Sequence, residues 1–384
     1  MRVGIEASVI GTDRGGDETY LRNLLAGLAL VSRAGEHEFV VYLRAGAEVP
    51  SEIAGDPRFV VRRLARLPSP IRYAIDLPSL VARERPGIDL LLTTNHAPLI
   101  STVPRVLLVH DLSFRHHPEH YALMTRLRLN VLVPLHVRQA RLVLTVSEFS
   151  RQDLVSAFGL APERVVVVPT AVRATSTLTA RTEGAASLRA RGVGDRFFLY
   201  LGNLHPRKNV ARLVDAYARA RSRSAAVAAH QLVIAGARGW HSEEVARAAA
   251  ALPGLVVMVG RIDDAERDAL LGRATALTYP SLFEGFGLPP LEAMAAGTPV
   301  LASTTTAMPE VLGDAALLVD PRDIEAIADG LRRLAEDQDL RDTLRERGRS
   351  RAAHYTLRTT GERALAAFAI AAARGERKLA TSVS

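Results

Sequence analysis

Glu284 and Glu292 stand with seven residues between them in the stretch Tyr279-Pro-Ser-Leu-Phe-Glu-Gly-Phe-Gly-Leu-Pro-Pro-Leu-Glu-Ala-Met-Ala-Ala-Gly297. An apolar run over 274–279 leads in as a strand, and a Gly-Phe-Gly loop follows the first Glu. Pro289 and Pro290 then open a helix, where a missing N–H costs little. The pattern puts Glu284 on the loop, Glu292 in the first helical turn, and the backbone N–H groups of Gly285, Phe286, Gly287 and Leu288 between them. Glycine lets a backbone approach a ligand closely, and a helix N-terminus attracts anions such as a diphosphate. Carboxylates next to an anion site suit sugar hydroxyls, which donate hydrogen bonds to them. The chemistry indicated is recognition of a sugar joined to a phosphate.

Lysine usage supplies a second signal. Of 49 Lys plus Arg residues, only Lys208 and Lys378 are lysine. A lysine retained where arginine is otherwise used throughout points to its own chemistry: a compact charge, a common phosphate partner and no substitute for Arg. Lys208 lies in Leu201-Gly-Asn-Leu-His-Pro-Arg-Lys-Asn209, after the apolar run 197–202 and before the helically spaced run 210–220. It therefore stands at a strand exit, where open α/β sheets bind ligands. Lys378 falls in a polar tail and needs no role.

These segments resemble the retaining glycosyltransferases of family 4, which have the GT-B fold. The resemblance rests on Tyr-Pro-Ser, Glu-Gly-Phe-Gly-Leu-Pro, Leu-Glu-Ala-Met-Ala, Gly297-Thr-Pro-Val300 and the Gly202…Arg207-Lys-Asn motif. It implies that Arg207 and Lys208 hold the donor diphosphate, Glu284 the sugar hydroxyls and Glu292 the ribose. It extends to His110-Asp111 at the exit of the strand over 105–110, where the family's His faces the donor sugar. Asp111 would organise that loop or simply cap the turn after it. Gly15 and Gly16, in Arg14-Gly-Gly-Asp-Glu-Thr-Tyr20, lie on the loop that the family places between diphosphate and acceptor. Arg261, after Gly260, falls where the family touches the nucleotide base. The mechanism implied is glycosyl transfer with retention, through an oxocarbenium-like transition state. Arg207, Lys208 and the N–H groups of 285–288 would stabilise the leaving diphosphate without a metal ion or other cofactor. The stretch from His110 to His120 is similar to that of bacterial polysaccharide mannosyltransferases, which implies GDP-mannose as first donor and cell-surface polysaccharide synthesis as the setting.

Positioning these residues takes alternating strands and helices. Apolar runs rich in Val, Leu and Ile over 2–7, 38–43, 59–63, 89–93, 105–110, 142–147 and 164–169 are separated by helical patterns over 17–31, 75–85 and 119–140. A second series follows over 197–202, 231–236, 255–260, 274–279, 300–303 and 316–319, with helices over 324–336 and 340–354. Short buried strands between helices indicate doubly wound parallel sheets. The fold class expected is α/β: two Rossmann-like domains facing a cleft. They span 1–172 on the acceptor side and 196–358 on the nucleotide-sugar side, joined by a Thr-, Ser-, Ala- and Arg-rich linker over 173–195. Residues 359–384 would supply a crossing helix to the first domain and a polar tail. Two places depart from the family: Pro169-Thr-Ala-Val172 where Pro-Asn-Gly-Val is usual, and His354-Tyr-Thr-Leu357 where Phe-Ser-Trp is common.

Composition removes other classes. With 48% hydrophobic and 23% charged residues the chain is globular, and 384 residues exceed one ordinary core. A formal charge of +8 suits phosphorylated partners, but its scatter and the lack of zinc-finger or RNA-binding signatures give no reason to expect nucleic acid. There is no cysteine, so disulfides and thiolate metal sites are excluded. No signal segment or membrane-length apolar run is evident, which points to the cytoplasm. The run 121–140 mixes Leu, Val and Met with Arg126, Arg128 and Arg138. It reads as an ordinary domain helix with Arg on its wet face, or as a peripheral membrane contact for a lipid-linked saccharide acceptor. His116, His117 and His120 form a cluster whose spacing matches no familiar metal-ligand set, and the reaction above needs no metal. Two rivals stand beside the transferase. One is another enzyme of this fold, such as an epimerase, or a phosphorylase with Lys208 or Lys378 carrying pyridoxal. The other is a non-catalytic nucleotide-sugar-binding or scaffolding protein.

Overall fold

A computed structural model describes residues 1–381 except 13, 14, 34, 174–177, 238, 240 and 241, with the side chains of 178–181 and 374–381 also outside it. Arg14 and the Lys378 side chain therefore lie outside the described residues. The chain divides into two compact units. Unit 1 comprises Met1–His116, Ala122–Ala171 and Tyr355–Ser384; unit 2 comprises His117–Tyr121 and Val172–His354.

Each unit is built on one wholly parallel sheet. In unit 1 the strands are β1 (Arg2–Glu6), β2 (Glu38–Arg44), β3 (Phe59–Leu64), β4 (Leu90–Thr94), β5 (Arg105–Leu108), β6 (Leu142–Thr145) and β7 (Val165–Val167). They lie in the order β3-β2-β1-β4-β5-β6-β7. In unit 2, β8 (Phe197–Leu201), β9 (Gln231–Ala235), β10 (Val256–Gly260), β11 (Ala276–Tyr279), β12 (Val300–Ser303) and β13 (Leu317–Val319) lie in the order β10-β9-β8-β11-β12-β13. Central strands such as β1, β8 and β11 are buried along their whole length, because helices cover both sheet faces. In both sheets the winding direction reverses once, at β1/β4 and at β8/β11. Those reversals open crevices at the carboxyl ends of the strands, which fixes where ligands can sit.

The helices that matter below are α1 (Gly16–Val31), α2 (Leu123–Gln139), α3 (Leu178–Ala190), α4 (Val210–Arg223), α5 (Asp264–Arg273), α6 (Leu288–Ala295) and α7 (Leu357–Thr381). As expected of residues 359–384, α7 returns to unit 1, where it packs along α1. Gly27 and Gly361 permit this approach: a Cβ on Gly27 would lie 2.5 Å from the Leu357 carbonyl oxygen, and one on Gly361 would strike the Gly27 carbonyl. Thr356, in the departing His-Tyr-Thr-Leu segment, accepts the Thr359 N–H at 3.1 Å and so starts the helix. Thr360 Oγ1 then donates to the Pro169 carbonyl at 2.9 Å. Ala171 stands where glycine is usual without conflict, since its φ is not positive. Asn23 Nδ2 donates to its carbonyl at 2.7 Å and to Thr170 Oγ1 at 3.0 Å.

The expected linker over 173–195 needs correction, although its residues 174–177 lie outside the description. It contains α3, which packs on α5 within unit 2. The cause is a backbone approach and polar contacts rather than an apolar stripe. A Cβ on Gly184 would lie 2.6 Å from the Ala265 backbone. Ser187 Oγ donates to Glu266 Oε1 at 2.6 Å, and Arg191 pairs with the same carboxylate. A further difference lies before α2: residues 117–121 leave unit 1 and join unit 2, with a short 3₁₀ turn at Pro118–His120.

Candidate functional site

Lys208 and Glu284 flank the β8/β11 crevice of unit 2. After β8 the chain makes a 3₁₀ turn, Pro206–Lys208, and Asn209 takes a left-handed φ of 63° as the N-cap position of α4. Asn209 Nδ2 donates to the carbonyls of Pro280 (2.9 Å) and Pro321 (2.6 Å), pinning this turn to the exits of β11 and β13. On the β11 side, the Glu284 N–H donates to Thr306 Oγ1 at 3.1 Å. Lys208 Nζ donates to Glu284 Oε1 and to the Tyr279 hydroxyl, both at 2.6 Å, and lies 5.0 Å from the Tyr279 ring centre. Arg207 Nη1 donates to Glu284 Oε2 at 3.0 Å and to the Phe283 carbonyl at 2.8 Å.

Two cations on one buried carboxylate leave the cluster with a net positive charge. Burial alone would raise the Glu284 pKa; the charges of Lys208 and Arg207 outweigh it and bring it down to about 2. Glu284 is thus ionised throughout the neutral range, and it orients both cations while satisfying only part of their donor capacity. Gly287 caps α6 with φ 95°, and a Cβ there would strike the Met308 side chain. Gly285, Phe286 and Gly287 are buried, so this turn packs tightly under the crevice.

Glu292 differs from expectation. The helix begins at Leu288, one residue before the proline pair, so Glu292 is its fifth residue and falls in the second turn. It is buried and faces α5, accepting from Arg267 Nη1 at 3.1 Å. Burial, with the nearby Asp268 and Asp264, raises its pKa against the pull of Arg267 and Arg173. The structure therefore brings Glu284, Arg207 and Lys208 together, and places Glu292 in a separate charged set on α5 and α6. Arg261 is exposed at the end of the edge strand β10, its carbonyl 3.4 Å from Arg191 Nη1. Tyr279, Arg267 and Thr306 were not identified as site residues in the sequence; Tyr279 stood in the quoted motif, but its hydroxyl gave no separate signal.

Unit 1 carries the other candidates. His110 leaves β5 with its Nε2 3.3 Å from Asp17 Oδ1, within ion-pair reach but outside hydrogen-bond geometry, and its ring meets the Tyr20 edge at 5.1 Å. Asp111 Oδ1 accepts the Ser113 N–H at 2.9 Å, so it caps the short helix that follows. Gly15 (φ 56°) and Gly16 open α1, and Asp17 joins them to His110. Alongside, at the β1/β4 crevice, lies a polar pocket of 310 Å³ lined by Glu6, Ser8, Asp17, Arg72, Tyr73 and Asn95 among others. Glu6 is buried there, accepting from Tyr73 Oη and the Ser8 N–H, each at 3.0 Å. Sequence patterning gave no sign of Glu6 or Tyr73: Glu6 falls within the strand read over 2–7, and Tyr73 just before the helix read over 75–85.

Beside the polar pocket, sharing Ser69, Tyr73 and His96 with it, lies a more apolar one of 380 Å³, bounded by Leu99, Ile100, Arg128 and Leu132. The surface around it is apolar: Ile71, Ile75, Leu99 and Ile100, with Leu123, Met124, Leu127, Val131 and Leu135 along α2, are all exposed. Residues 123–139 form a helix with Arg126, Arg128 and Arg138 exposed, and its wet face carries apolar residues as well. Among the described residues, no helix is long and apolar enough to cross a membrane.

Comparison with known proteins agrees with this architecture. The chain is similar to O-antigen chain mannosyltransferase B of Escherichia coli, with 30% identity over 64% of this chain and 65% of the relative. It is also similar to the MMP alpha-(1->4)-mannosyltransferase of Mycolicibacterium hassiacum, with 35% identity over 56% and 50%. The chain thus spans less than two thirds of either relative's length. Among solved structures it resembles Anabaena HepE in complex with UDP and glucose, with TM-score 0.72 and 20% identity over 96% of this chain and 99% of that one. It likewise resembles the sucrose-phosphate synthase of Thermosynechococcus elongatus, with TM-score 0.71 and 20% identity over the whole of both chains. Those two likenesses establish the fold. Residues 14–175 match Glycosyltransferase Family 4 and residues 189–351 match Glycosyl transferases group 1, so the chain belongs to the family 4 glycosyltransferases of GT-B fold.

Proposed function

We propose that this protein transfers a hexosyl group, mannose from GDP-mannose in the first instance, from a nucleotide sugar to a saccharide acceptor with retention of configuration. The observation that carries this reading is the Arg207–Glu284–Lys208 cluster at the β8/β11 crevice. A net positive, partly buried pair of donors suits a diphosphate, and the N-terminus of α6 adds oriented peptide N–H groups beside it. As the glycosidic bond breaks, negative charge grows on the departing diphosphate, and donors already held in place by Glu284 stabilise it without reorganising. The cluster itself supplies this charge, so the transfer requires no added metal. Glu292 with Arg267 is assigned to the ribose and Arg261 to the base. His110 and the Gly15-Gly16 turn are assigned to the sugar and the acceptor side.

The mannosyl donor is supported by the two relatives above, both mannosyltransferases. A lipid-linked acceptor, bound at a membrane surface, is supported by the exposed apolar side chains around α2 and by Arg126 and Arg128 among them. Binding of UDP, GDP, ADP and dTDP is to be measured by calorimetry in the presence of a chelator. GDP is expected to bind, and Lys208→Ala to weaken it about 10- to 100-fold, the worth of one or two charge-assisted hydrogen bonds. Failure of all four nucleotides to bind would sink the donor-site assignment and favour a scaffolding protein. Binding without transfer or donor hydrolysis in any acceptor assay would favour a non-catalytic sensor.

A further inference from the structure

His117, Glu119 and His120 occupy one tight turn of unit 2. Residues 118–120 form a 3₁₀ turn, closed by the His120 N–H donating to the His117 carbonyl at 3.1 Å. Side chains three apart eclipse one another in that geometry. The two imidazoles accordingly stack, with ring centres 5.1 Å apart and planes 8° from parallel. Both rings are mostly buried, whereas Glu119 is 60% exposed and reaches back over them. Its Oε1 lies 3.1 Å from His117 Nδ1 and 3.6 Å from His120 Nε2, and one donor atom from each residue falls within 4.8 Å of the other two. Zinc takes imidazole nitrogen and carboxylate oxygen at about 2.0–2.2 Å, so two ligands of a tetrahedron stand about 3.3–3.5 Å apart. The two separations from Glu119 bracket that value, and the imidazole donors lie within 4.8 Å of each other.

We propose that His117, Glu119 and His120 form a binding site for one divalent cation of the zinc, cobalt or nickel class, with a fourth position left open. Two imidazoles and one carboxylate suit those ions better than magnesium or calcium, which favour oxygen donors. The site is separate from the proposed transfer, which uses Arg207 and Lys208 for its charge. It does border the donor loop: the His205 ring centre is 6.1 Å from that of His120, and the His117 ring centre is 5.9 Å from that of Phe283, whose carbonyl holds Arg207. The neighbouring His116 takes no part, since its Nε2 lies 2.8 Å from Asp153 Oδ1 in unit 1.

The full chain, freed of metal by chelation and dialysis, is to be titrated with Zn²⁺ by calorimetry and with Co²⁺ by visible absorption. One equivalent is expected to bind and to give cobalt ligand-field bands. The affinity should fall at least tenfold in His120→Ala and in Glu119→Gln, and remain in His116→Ala. Glu119→Gln changes an exposed side chain, so it keeps the test decisive if His120→Ala fails to fold. Absence of a cobalt spectrum in the parent, or equal affinity in all four proteins, overturns the proposal. Neither result bears on nucleotide binding, which is measured with metal chelated.

Discussion

At the residue scale the second unit turns on one carboxylate. Glu284 is 5% exposed and joins two cations, so its roles in binding and in folding can be pulled apart. Glu284→Gln keeps the shape but removes the charge that Arg207 and Lys208 are paired against. Removing one partner of a buried pair costs about 3–5 kcal/mol, and a lower melting temperature is expected. Nucleotide affinity should stay level or rise, because both cations then face the diphosphate with less competition. Transfer should fall about 10²- to 10³-fold if the carboxylate also positions the sugar. A parallel loss of nucleotide binding in this variant would contradict that division of labour. Lys208→Arg is expected not to restore function, because the Tyr279 hydroxyl and Glu284 Oε1, each 2.6 Å from Nζ, fit a point charge rather than a planar fork. Much of this cluster was legible in the sequence, since the rarity of lysine and the strand-exit position of Lys208 are properties of the text itself. What was not legible is the pairing: spacing shows that Glu284 and Lys208 lie at two strand exits, but only the order β8-β11 makes those exits neighbours. Glu292 lies one residue further into the helix than expected, just past the first turn, because the proline pair marks a helix start only to within a residue, and α6 begins at Leu288.

At the scale of elements, the turn into α6 holds its shape through Gly287. The left-handed φ of 95° and the nearby Met308 side chain both resist a Cβ. Gly287→Ala should therefore lower stability by about 1–3 kcal/mol, read as a fall in melting temperature. Met308→Ala added to it should recover the crowding part of that loss and leave the part due to φ. Helix α2 makes a different prediction. Its exposed Leu127 and Val131 support no core, so Leu127→Glu with Val131→Glu should leave the melting temperature unchanged while reducing co-sedimentation with anionic vesicles. Undiminished sedimentation would remove the support for a membrane-bound acceptor. Every strand expected from the sequence is present with its ends shifted by no more than two residues, because continuous Val, Leu and Ile runs between helices have few other uses. Helix α3 escaped notice for the opposite reason. It docks through Gly184, Ser187 and Arg191, and hydrophobic periodicity carries no record of a backbone approach or a shared carboxylate.

At the scale of the whole molecule, acid should weaken the fold in two pH windows, set by buried imidazoles and by Glu284. His136 lies in unit 1, where burial and then the charge of Arg105 bring its pKa from the usual 6.5 down to about 4. Its ring faces His96 at 6.3 Å, and its buried Nδ1 has no partner among the described residues. Below pH 6.5 the unfolded chain binds a proton here that the folded chain does not, so stability falls as pH drops from 6.5 toward 4. Glu284, in unit 2, has its folded pKa depressed from 4.5 to about 2. Its contribution is complete above pH 4.5 and is lost as pH falls from there toward 2. Each group can contribute a slope of up to about 1.4 kcal/mol per pH unit within its own window. Calorimetric melting between pH 7.5 and 3, with a chelator present, should then show stability lost first between pH 6.5 and 4, where His205 of unit 2, likewise brought down to about 4 by burial and then Arg207, adds to His136. His136→Gln should lessen the slope in the upper window and leave the lower one, and Glu284→Gln should do the reverse. If His136→Gln leaves the slope above pH 4.5 unchanged, then the buried imidazole is not what makes unit 1 acid-sensitive. The loss in that range would then belong to other groups.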